Sequence, residues 1–412
     1  MEEKKAVIVI PTYNESESIN KIITYLFNKT FKEINNWKIK MLIVDARSTD
    51  NTEGIVRSLM KKYDDLDIFV EDKKEGIGAA YIKGFKYAID KYNADVLIEF
   101  DGDFQHPPET IPVLLNEIDN GFDYVIGSRR VKGGGYPKGW GFKRNFLSRF
   151  GGFVARLLLF FPFKEFFKVT DPTTGLKATR VKGAYSKINL DKLKNKGFGY
   201  KIELLFDMLK YGARIKEIPL NFKIREAGES KITNQTPAEI FKTVFYLRFH
   251  DEKTLRFIKF CFVGLLGLII NSVLLEIFAR SSIVNIFIYI FSGFKNIPVL
   301  NVLTVKSSWS AGLAAEAAII SNFIFNNLWT FYNKKIEGFF EIIGKFIMFN
   351  FTSIGAVLIE FLLIGLSVII FGESSLVRQF TLIFVILFVI VPYNWFMYNV
   401  VIWSKKLNIV DN

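Results

Sequence analysis

Asp101 and Asp103, one residue apart, close the apolar run Val96–Phe100 and are followed by Gln105, His106 and Pro107-Pro108 in the stretch VLIEFDGDFQHPPE. Carboxylates at the exposed end of a buried strand are hard oxygen donors. They suit a Mg²⁺ or Mn²⁺ ion that keeps open positions for phosphate oxygens. The two prolines stop the strand and force the chain to turn. A lone DxD triplet is as often an ordinary strand-to-turn junction with solvated carboxylates, so its weight depends on what surrounds it. His106 could add a ligand, but a turn histidine beside Pro107 is the simpler reading.

Cationic and small polar residues follow: Arg129, Arg144, Ser148 and Arg149, with Gly133–Gly135 and Trp140 between them. Arginine presents a planar fork that matches phosphate oxygens. Ser148 lies one helical turn from Arg144, so both can face one anion. The elements that must position these groups alternate. Ala6–Ile10, Lys40–Val44, Ile68–Glu71 and Val96–Phe100 read as strands. Ile19–Leu26, Thr52–Lys62 and Ala79–Tyr92 read as helices. This βαβα order predicts a mainly parallel sheet with helices on both faces. Ligands of such sheets sit beyond the carboxyl ends of the strands. Pro11–Glu15, Asp45–Asp50 and Asp101–Gln105 all fall there.

The chain has 412 residues, is 50% hydrophobic and carries 43 Phe. Residues 1–250 mix charge with short apolar runs, whereas 255–403 is dominated by stretches near the ~20 residues that span a bilayer. The stretches about 257–278, 310–331, 346–371 and 380–403 are the expected spans. Ile283–Phe294 is too short and reads as interfacial or re-entrant. Basic residues at Lys253, Arg256, Lys334, Lys335, Lys345, Lys405 and Lys406 place both termini, and the N-terminal half, on the cytoplasmic side. The start, MEEKKAVIVIPTYNES, lacks the apolar core of a signal peptide. The segment about 144–168 reads as an interfacial helix. Thr236–Phe249, within 233–255, reads as a second amphipathic helix joining the halves. The single cysteine, Cys261, reads as a packing residue. The formal charge of +13 fits an anionic membrane surface or phosphate substrates. It argues least for nucleic acid, because the basic residues cluster beside apolar helices. Abundant Lys, Ile and Phe point weakly to the cell membrane of an AT-rich prokaryote such as an archaeon.

The apolar half repeats itself. RFIKFCF (256–262) is echoed by KFIMFNF (345–351), and Asn322, Asn327, Phe331 and Lys334 recur as Asn394, Asn399, Trp403 and Lys406. Two helix pairs of like orientation suggest duplication. Glu276, Glu316 and Glu360 lie within or at the ends of spans, where acids are costly. Helix packing and a transport role are both open for them.

PTYNES (11–16), VDARSTDNT (44–52), GIGAAYIKGF (76–85), DGDFQHPP (101–108), GSRR (127–130) and DPTTG (171–175) occur in the order seen in one family. Residues 5–232 resemble the GT-A family 2 glycosyltransferases, and within them the dolichyl-phosphate mannose synthases and bacterial polyprenyl-phosphate hexosyltransferases. Residues 255–406 resemble the GtrA-like membrane domains. The resemblance implies a GT-A, Rossmann-like α/β domain (1–232), a linker helix (233–255) and an all-α four-helix transmembrane domain (256–412). It implies donor contacts from Pro11, Tyr13, Glu15, Asp45, Gly78 and Asp101. Arg225 and Lys231 in REAGESK would fold over the nucleotide, with a solvated basic loop as the alternative. It implies a divalent metal, Mg²⁺ or Mn²⁺, on Asp101, Asp103 and Gln105. An acceptor-phosphate site falls on Arg129, Arg144 and Ser148, and sugar binding or general-base work on Asp171. Asp103, Arg129, Arg144 and Asp171 form the catalytic set. Two departures stand out: Asp45-Ala46 where the family commonly has two aspartates, and Arg130 where an aromatic is frequent. The implied reaction is inverting transfer of mannose from GDP-mannose to a dolichyl or polyprenyl phosphate at the cytoplasmic membrane face. UDP-glucose or UDP-N-acetylglucosamine as donor, and a lipid-linked sugar flippase with a nucleotide-sugar-binding half, are the alternatives. A processive polysaccharide synthase is disfavoured, since no Gln here begins a Gln-x-x-Arg-Trp motif.

Overall fold

The computed structural model describes residues 3–397 apart from 138, 162–163, 225–235 and 299. The chain divides into two compact units, residues 1–250 and 251–412.

The first unit runs β1 (Lys5–Thr12), α1 (Ile19–Asn28), β2 (Lys38–Asp45), α2 (Thr52–Met60), β3 (Leu66–Val70), α3 (Ile77–Tyr92), β4 (Val96–Glu99), α4 (Thr110–Asp119), β5 (Tyr124–Ser128), α5 (Phe142–Phe160), the short α6 (Glu165–Lys168), β6 (Lys177–Arg180), α7 (Tyr200–Lys210), β7 (Ile215–Pro219) and α8 (Thr236–His250). The seven strands order as β3-β2-β1-β4-β6-β5-β7. Every neighbouring pair is parallel except the two made by β6, which runs against β4 and β5. The expected mainly parallel sheet is therefore present.

Alternation along β1 shows why both faces must be covered. Val7 and Val9 enter the core under α3, α5, α7 and α8. Ala6, Ile8 and Ile10 enter the opposite core under α1, α2 and α4. A strand apolar on both faces is stable only when sandwiched in this way. Gly84 lets α3 lie close to the sheet. A methyl there would come within 2.6 Å of Val9 Cγ1 and 2.8 Å of Val44 Cγ2.

The expected interfacial segment is α5 followed by α6. Ala155 and Leu159 of α5 are buried in the core, while Phe142, Phe146, Phe150 and Phe153 are exposed. Phe142 stacks on Phe146, and Phe146 on Phe150 at 5.2 Å. The helix expected to join the halves is α8, which is part of the first unit. Its Val244 and Leu247 are buried, and Phe245 and Phe249 are exposed. Arg248 Nη1 donates to the Leu159 carbonyl of α5 at 3.1 Å.

The second unit comprises α9 (Glu252–Arg280), α10 (Asn285–Ile290), α11 (Lys306–Phe325), α12 (Phe339–Phe371), α13 (Ser375–Val385) and α14 (Val391–Met397). π-helical turns at Asn326–Thr330 and Ile386–Ile390 extend α11 and link α13 to α14. Three described helices are long and apolar enough to cross a membrane: Glu252–Arg280, Phe339–Phe371 and Ser375–Met397. The fourth expected span, 310–331, differs. It forms α11 and its π turn, but it does not reach that apolarity. Apart from Phe323, the buried residues of α11 are small: Ser307, Ser308, Ser310, Ala311, Ala314, Ala315 and Ala318. Small side chains let helices approach closely, and they supply close packing in place of a greasy surface. Residues 283–294 form α10 and a 3₁₀ turn rather than a span. Cys261, expected in packing, is exposed.

Gly84→Val should lower the thermal unfolding midpoint of the first unit. Overpacking of this kind costs about 1–3 kcal/mol. Circular dichroism of the purified variant checks it; an unchanged midpoint would mean that α3 is not pinned by this contact.

Candidate active site

A cavity of about 390 Å³ opens at the carboxyl ends of β1 and β4. Pro11, Tyr13, Glu15, Ala46, Asp101, Asp103, Gln105, His106, Arg129 and Arg144 all line it. Thr12 and Asp101, distant in sequence, meet here because β1 and β4 are paired neighbours. The volume lies within the range of small-molecule sites.

The carboxylate loop is held from several sides. Asp101 Oδ1 accepts a hydrogen bond from the Tyr81 hydroxyl at 3.0 Å. Burial and the neighbouring Asp101 push Tyr81 well above the usual phenol range, so it stays a donor. Asp103 is buried, and its Oδ1 accepts from the Gln105 amide at 3.0 Å. Between them in the turn, Phe104 takes φ +58°, an uncommon left-handed conformation for an aromatic residue. Its ring packs edge-on against Tyr25. Gln105 Nε2 donates to the Lys223 carbonyl at 3.4 Å.

His106 is fully enclosed, packed against Phe100 and Phe222, with Nδ1 3.6 Å from Asp101 Oδ2. Burial takes its pKa down to about 4, with Lys201 and Arg129 adding to the effect against the pull of Asp101. The ring is neutral at pH 7. Opposite it, Gly175 is held to glycine by crowding. A methyl there would meet Lys201 Nζ at 2.6 Å, His106 Cε1 at 2.9 Å and Asp101 Oδ2 at 3.1 Å. Lys201, on the first turn of α7, thus brings a nearly buried ammonium beside the carboxylate loop. It is a site residue that motif reading passed over.

Arg129 is fixed by a bidentate pair. Its Nε and Nη2 donate to Asp171 at 2.7 Å each, and Nη2 also donates to Thr173 at 3.1 Å. The guanidinium faces the rings of Tyr136 and Phe222. Arg144 lies on exposed α5 with its guanidinium 4.1 Å from the Trp140 ring centre. Lys74 sits 3.3 Å from the ring centre of Tyr13.

Four expected site residues lie elsewhere than the cavity wall. Asp171 is 0% exposed, and its backbone N–H donates to Glu217. It holds Arg129, with both its oxygens turned to the guanidinium. The guanidinium keeps its carboxyl below the usual range against the cost of burial. Asp45 is also 0% exposed, accepting from Thr12 Oγ1, Ser48 N and Ser48 Oγ. It braces the two loops after β1 and β2, and Ala46 meets the cavity instead. Gly78 is buried against the loop before α7; a methyl there would strike the Gly197 carbonyl at 2.7 Å. Its glycine serves helix packing, while Gly76, at φ +117°, lines the cavity. Ser148 is half-buried off the cavity, its carbonyl taken by Arg130 Nη2 at 2.9 Å. Arg225 and Lys231 lie outside the described residues.

Among the described residues, no group of three or more His, Cys, Asp or Glu side chains could hold a metal by itself. Two hard carboxylates on an open cavity still fit Mg²⁺ or Mn²⁺, which keep several positions for water and phosphate oxygens rather than a full protein cage.

Residues 7–180 match the family model for glycosyl transferase family 2, and residues 259–403 match that for the GtrA/DPMS transmembrane domain. A dolichol-phosphate mannosyltransferase of Pyrococcus furiosus is 30% identical, covering 93% of this chain and 97% of its own. An undecaprenyl-phosphate mannosyltransferase of Micrococcus luteus is 33% identical over 56% of this chain and 88% of its own. A polyprenol monophosphomannose synthase of Mycolicibacterium smegmatis is 31% identical over 57% of this chain and 84% of its own. Among solved structures, glucosyl-3-phosphoglycerate synthase from Mycobacterium tuberculosis is similar at 17% identity and TM-score 0.42, covering 59% of this chain and 80% of that one. The chain is a family 2 glycosyltransferase with a GtrA/DPMS transmembrane domain, and it belongs to the dolichol-phosphate mannosyltransferase family.

Asp171→Asn should destabilise the first unit by about 3–5 kcal/mol, because it leaves the Arg129 charge buried without its partner. The folded pKa of Asp171 is depressed, so its stabilisation is complete above the ordinary carboxylate value of ~3.9 and is lost as pH falls through the lower folded value. Urea unfolding of wild type and variant at pH 7 and in the acid limb checks both parts.

Proposed function

We propose that this chain transfers a hexose, mannose from GDP-mannose, to the phosphate of a dolichol or polyprenyl phosphate at the cytoplasmic membrane face. The observation that carries the reading is the meeting of Asp101 and Asp103 with Arg129 and Arg144 on one cavity wall. It sets a site for a cation-bridged diphosphate beside a site for a second phosphate. Mannose is taken from the names of the relatives, and guanosine diphosphate from the family resemblance of the motifs.

The chemistry asks little of a base. A lipid monophosphate is largely anionic at pH 7, since its second pKa is ~6. One of its oxygens attacks the anomeric carbon as the bond from that carbon to the diphosphate breaks. The nucleoside diphosphate departs with the electron pair, and the configuration inverts. The site must supply orientation and cationic control of two phosphate groups. Arg129 has two N–H donors on Nη1 with no partner among the described residues, and these face acceptor or donor oxygens once Asp171 has set the plane. Arg144, with Trp140 beneath it, takes the acceptor phosphate. Pro11, Tyr13 and Glu15 line the nucleotide. Asp101 and Asp103, with Gln105 as a third candidate, would hold a divalent cation that neutralises the leaving diphosphate. His106, neutral and enclosed, keeps water and a competing positive charge out of that corner.

Detergent-purified protein is given a polyprenyl phosphate and radiolabelled GDP-mannose, UDP-glucose or UDP-N-acetylglucosamine, with Mn²⁺ or with EDTA. The expected result is lipid-soluble label from GDP-mannose with metal and none with EDTA. Asp103→Ala should lower kcat by about 10²–10³-fold, the size of effect seen when charge stabilisation is removed. Arg144→Ala should act mainly through the KM for the lipid. No labelled lipid from any donor would overturn the reading; label from a uridine sugar alone would replace the donor. Undiminished transfer by Asp103→Ala would remove the carboxylate loop from the mechanism.

A further inference from the structure

The second unit holds a small chamber, with polar groups set among apolar ones, that sugar transfer does not use. Its volume is about 70 Å³, and its wall is built from α9, α11, α12, α14 and the two π-helical turns. Asn271, Asn322, Asn326, Glu360 and Asn394 face it, amid glycine, alanine and branched apolar side chains. Asn271, Asn326 and Glu360 are each at most 2% exposed. Asn271 Nδ2 donates to Glu360 Oε1 at 2.9 Å. The amide oxygens of Asn271, Asn322 and Asn326 are buried with no hydrogen-bond partner among the described residues. An orphaned buried acceptor costs about 1–3 kcal/mol, so three converging on one chamber call for a bound donor or cation.

The repeat explains how these groups meet. Asn271 and Glu360 stand at matching places, each 15 residues beyond the start of its motif, RFIKFCF or KFIMFNF. Asn322 and Asn394 are matching places in the partner helices. All four line the same chamber, so it sits where the two halves of the duplication face each other. Gly267 is part of the construction: a methyl there would come within 2.4 Å of Asn322 Oδ1. The π turns at Asn326–Thr330 and Ile386–Ile390 both contribute to the wall. Turns of this kind are frequent at functional sites, and ion sites in duplicated membrane proteins lie at the interface between repeats.

The chemistry selects the ligand. The unmatched atoms are neutral oxygens arranged with one carboxyl group, and no Lys, Arg or His lines the chamber. Positive charge must then come from outside the protein. The volume admits an ion with a few waters, a water needing about 10–15 Å³. It is far below the ~300 Å³ of small-molecule pockets, so a hexose does not fit. We propose that this chamber binds a small monovalent metal cation, sodium, coordinated by Glu360 and the amide oxygens of Asn271, Asn322 and Asn326.

The test is thermal unfolding of the full chain in detergent, with sodium chloride replacing choline chloride at constant ionic strength. Ligand linkage predicts a Tm that rises by a few degrees with the logarithm of sodium concentration above half-saturation. Glu360→Gln, which keeps the shape and removes the charge, should abolish the sodium-dependent part whatever it does to the starting Tm. Asn322→Ala, on a different helix, should raise the half-saturating sodium concentration at least tenfold, and it decides the matter if Glu360→Gln does not fold. A wild-type Tm equal in sodium and choline would overturn the proposal and leave Glu360 as a protonated carboxyl among waters. So would a sodium shift undiminished in Asn322→Ala or Glu360→Gln.

Discussion

A charge taken out of water must be met by an opposite charge or by hydrogen-bond donors, and the catalytic cleft is organised around that requirement. Arg129 can stand, itself largely buried, at the cavity wall because Asp171, wholly buried behind it, takes two of its N–H groups. Asp171 can be buried because Arg129 faces it and Glu217 receives its backbone amide. Asp101 leans on Tyr81, whose proton burial secures. Each functional group is thus oriented by a neighbour with no part in the chemistry. That division of labour keeps the cleft rigid before any substrate arrives.

The sheet supplies the other half of the arrangement. β1 and β4 lie side by side at its centre, so the loops after them meet at one carboxyl edge. β6 runs antiparallel next to β4, so residues 171–175, which lead into it, lie at the same edge. Helix α7 then enters beneath the cavity with Lys201 on its first turn. The result sets Asp101 and Asp103 in one cavity with Arg129, Arg144 and Lys201. The enclosed neutral His106 adds no further charge.

The same requirement reads differently in the second unit. Arg378 there is met by Glu276 and Glu373 and is structurally complete. Among the described residues, Glu360 is met by Asn271 alone, and the amide oxygens of Asn271, Asn322 and Asn326 are without a partner. Small residues on α11 let the neighbouring helices approach around the chamber.

The sequence by itself determined the order of strands and helices, the place of the site and its acidic centre. Those depend on local pattern: apolar runs of strand length, Asp-Gly-Asp ahead of two prolines, arginines spaced along a helix. It also showed the apolar half and its repeat, because span-length apolar stretches and a repeated motif are legible without contacts. Tertiary structure alone decided which motif residues touch the cavity. Asp45 and Gly78 sit in motifs, yet one braces two loops and the other admits a neighbouring backbone. Asp171 looked like a base and proved to be the holder of Arg129. Lys201 carried no motif, and only the packing of α7 brings it to Asp101. The physical reason is that a motif records residue type and spacing, whereas burial and partner are set by segments a hundred residues away. Helix α11 makes the same point in reverse: its small residues lowered its apolarity, and their value is visible only against the helices they let in.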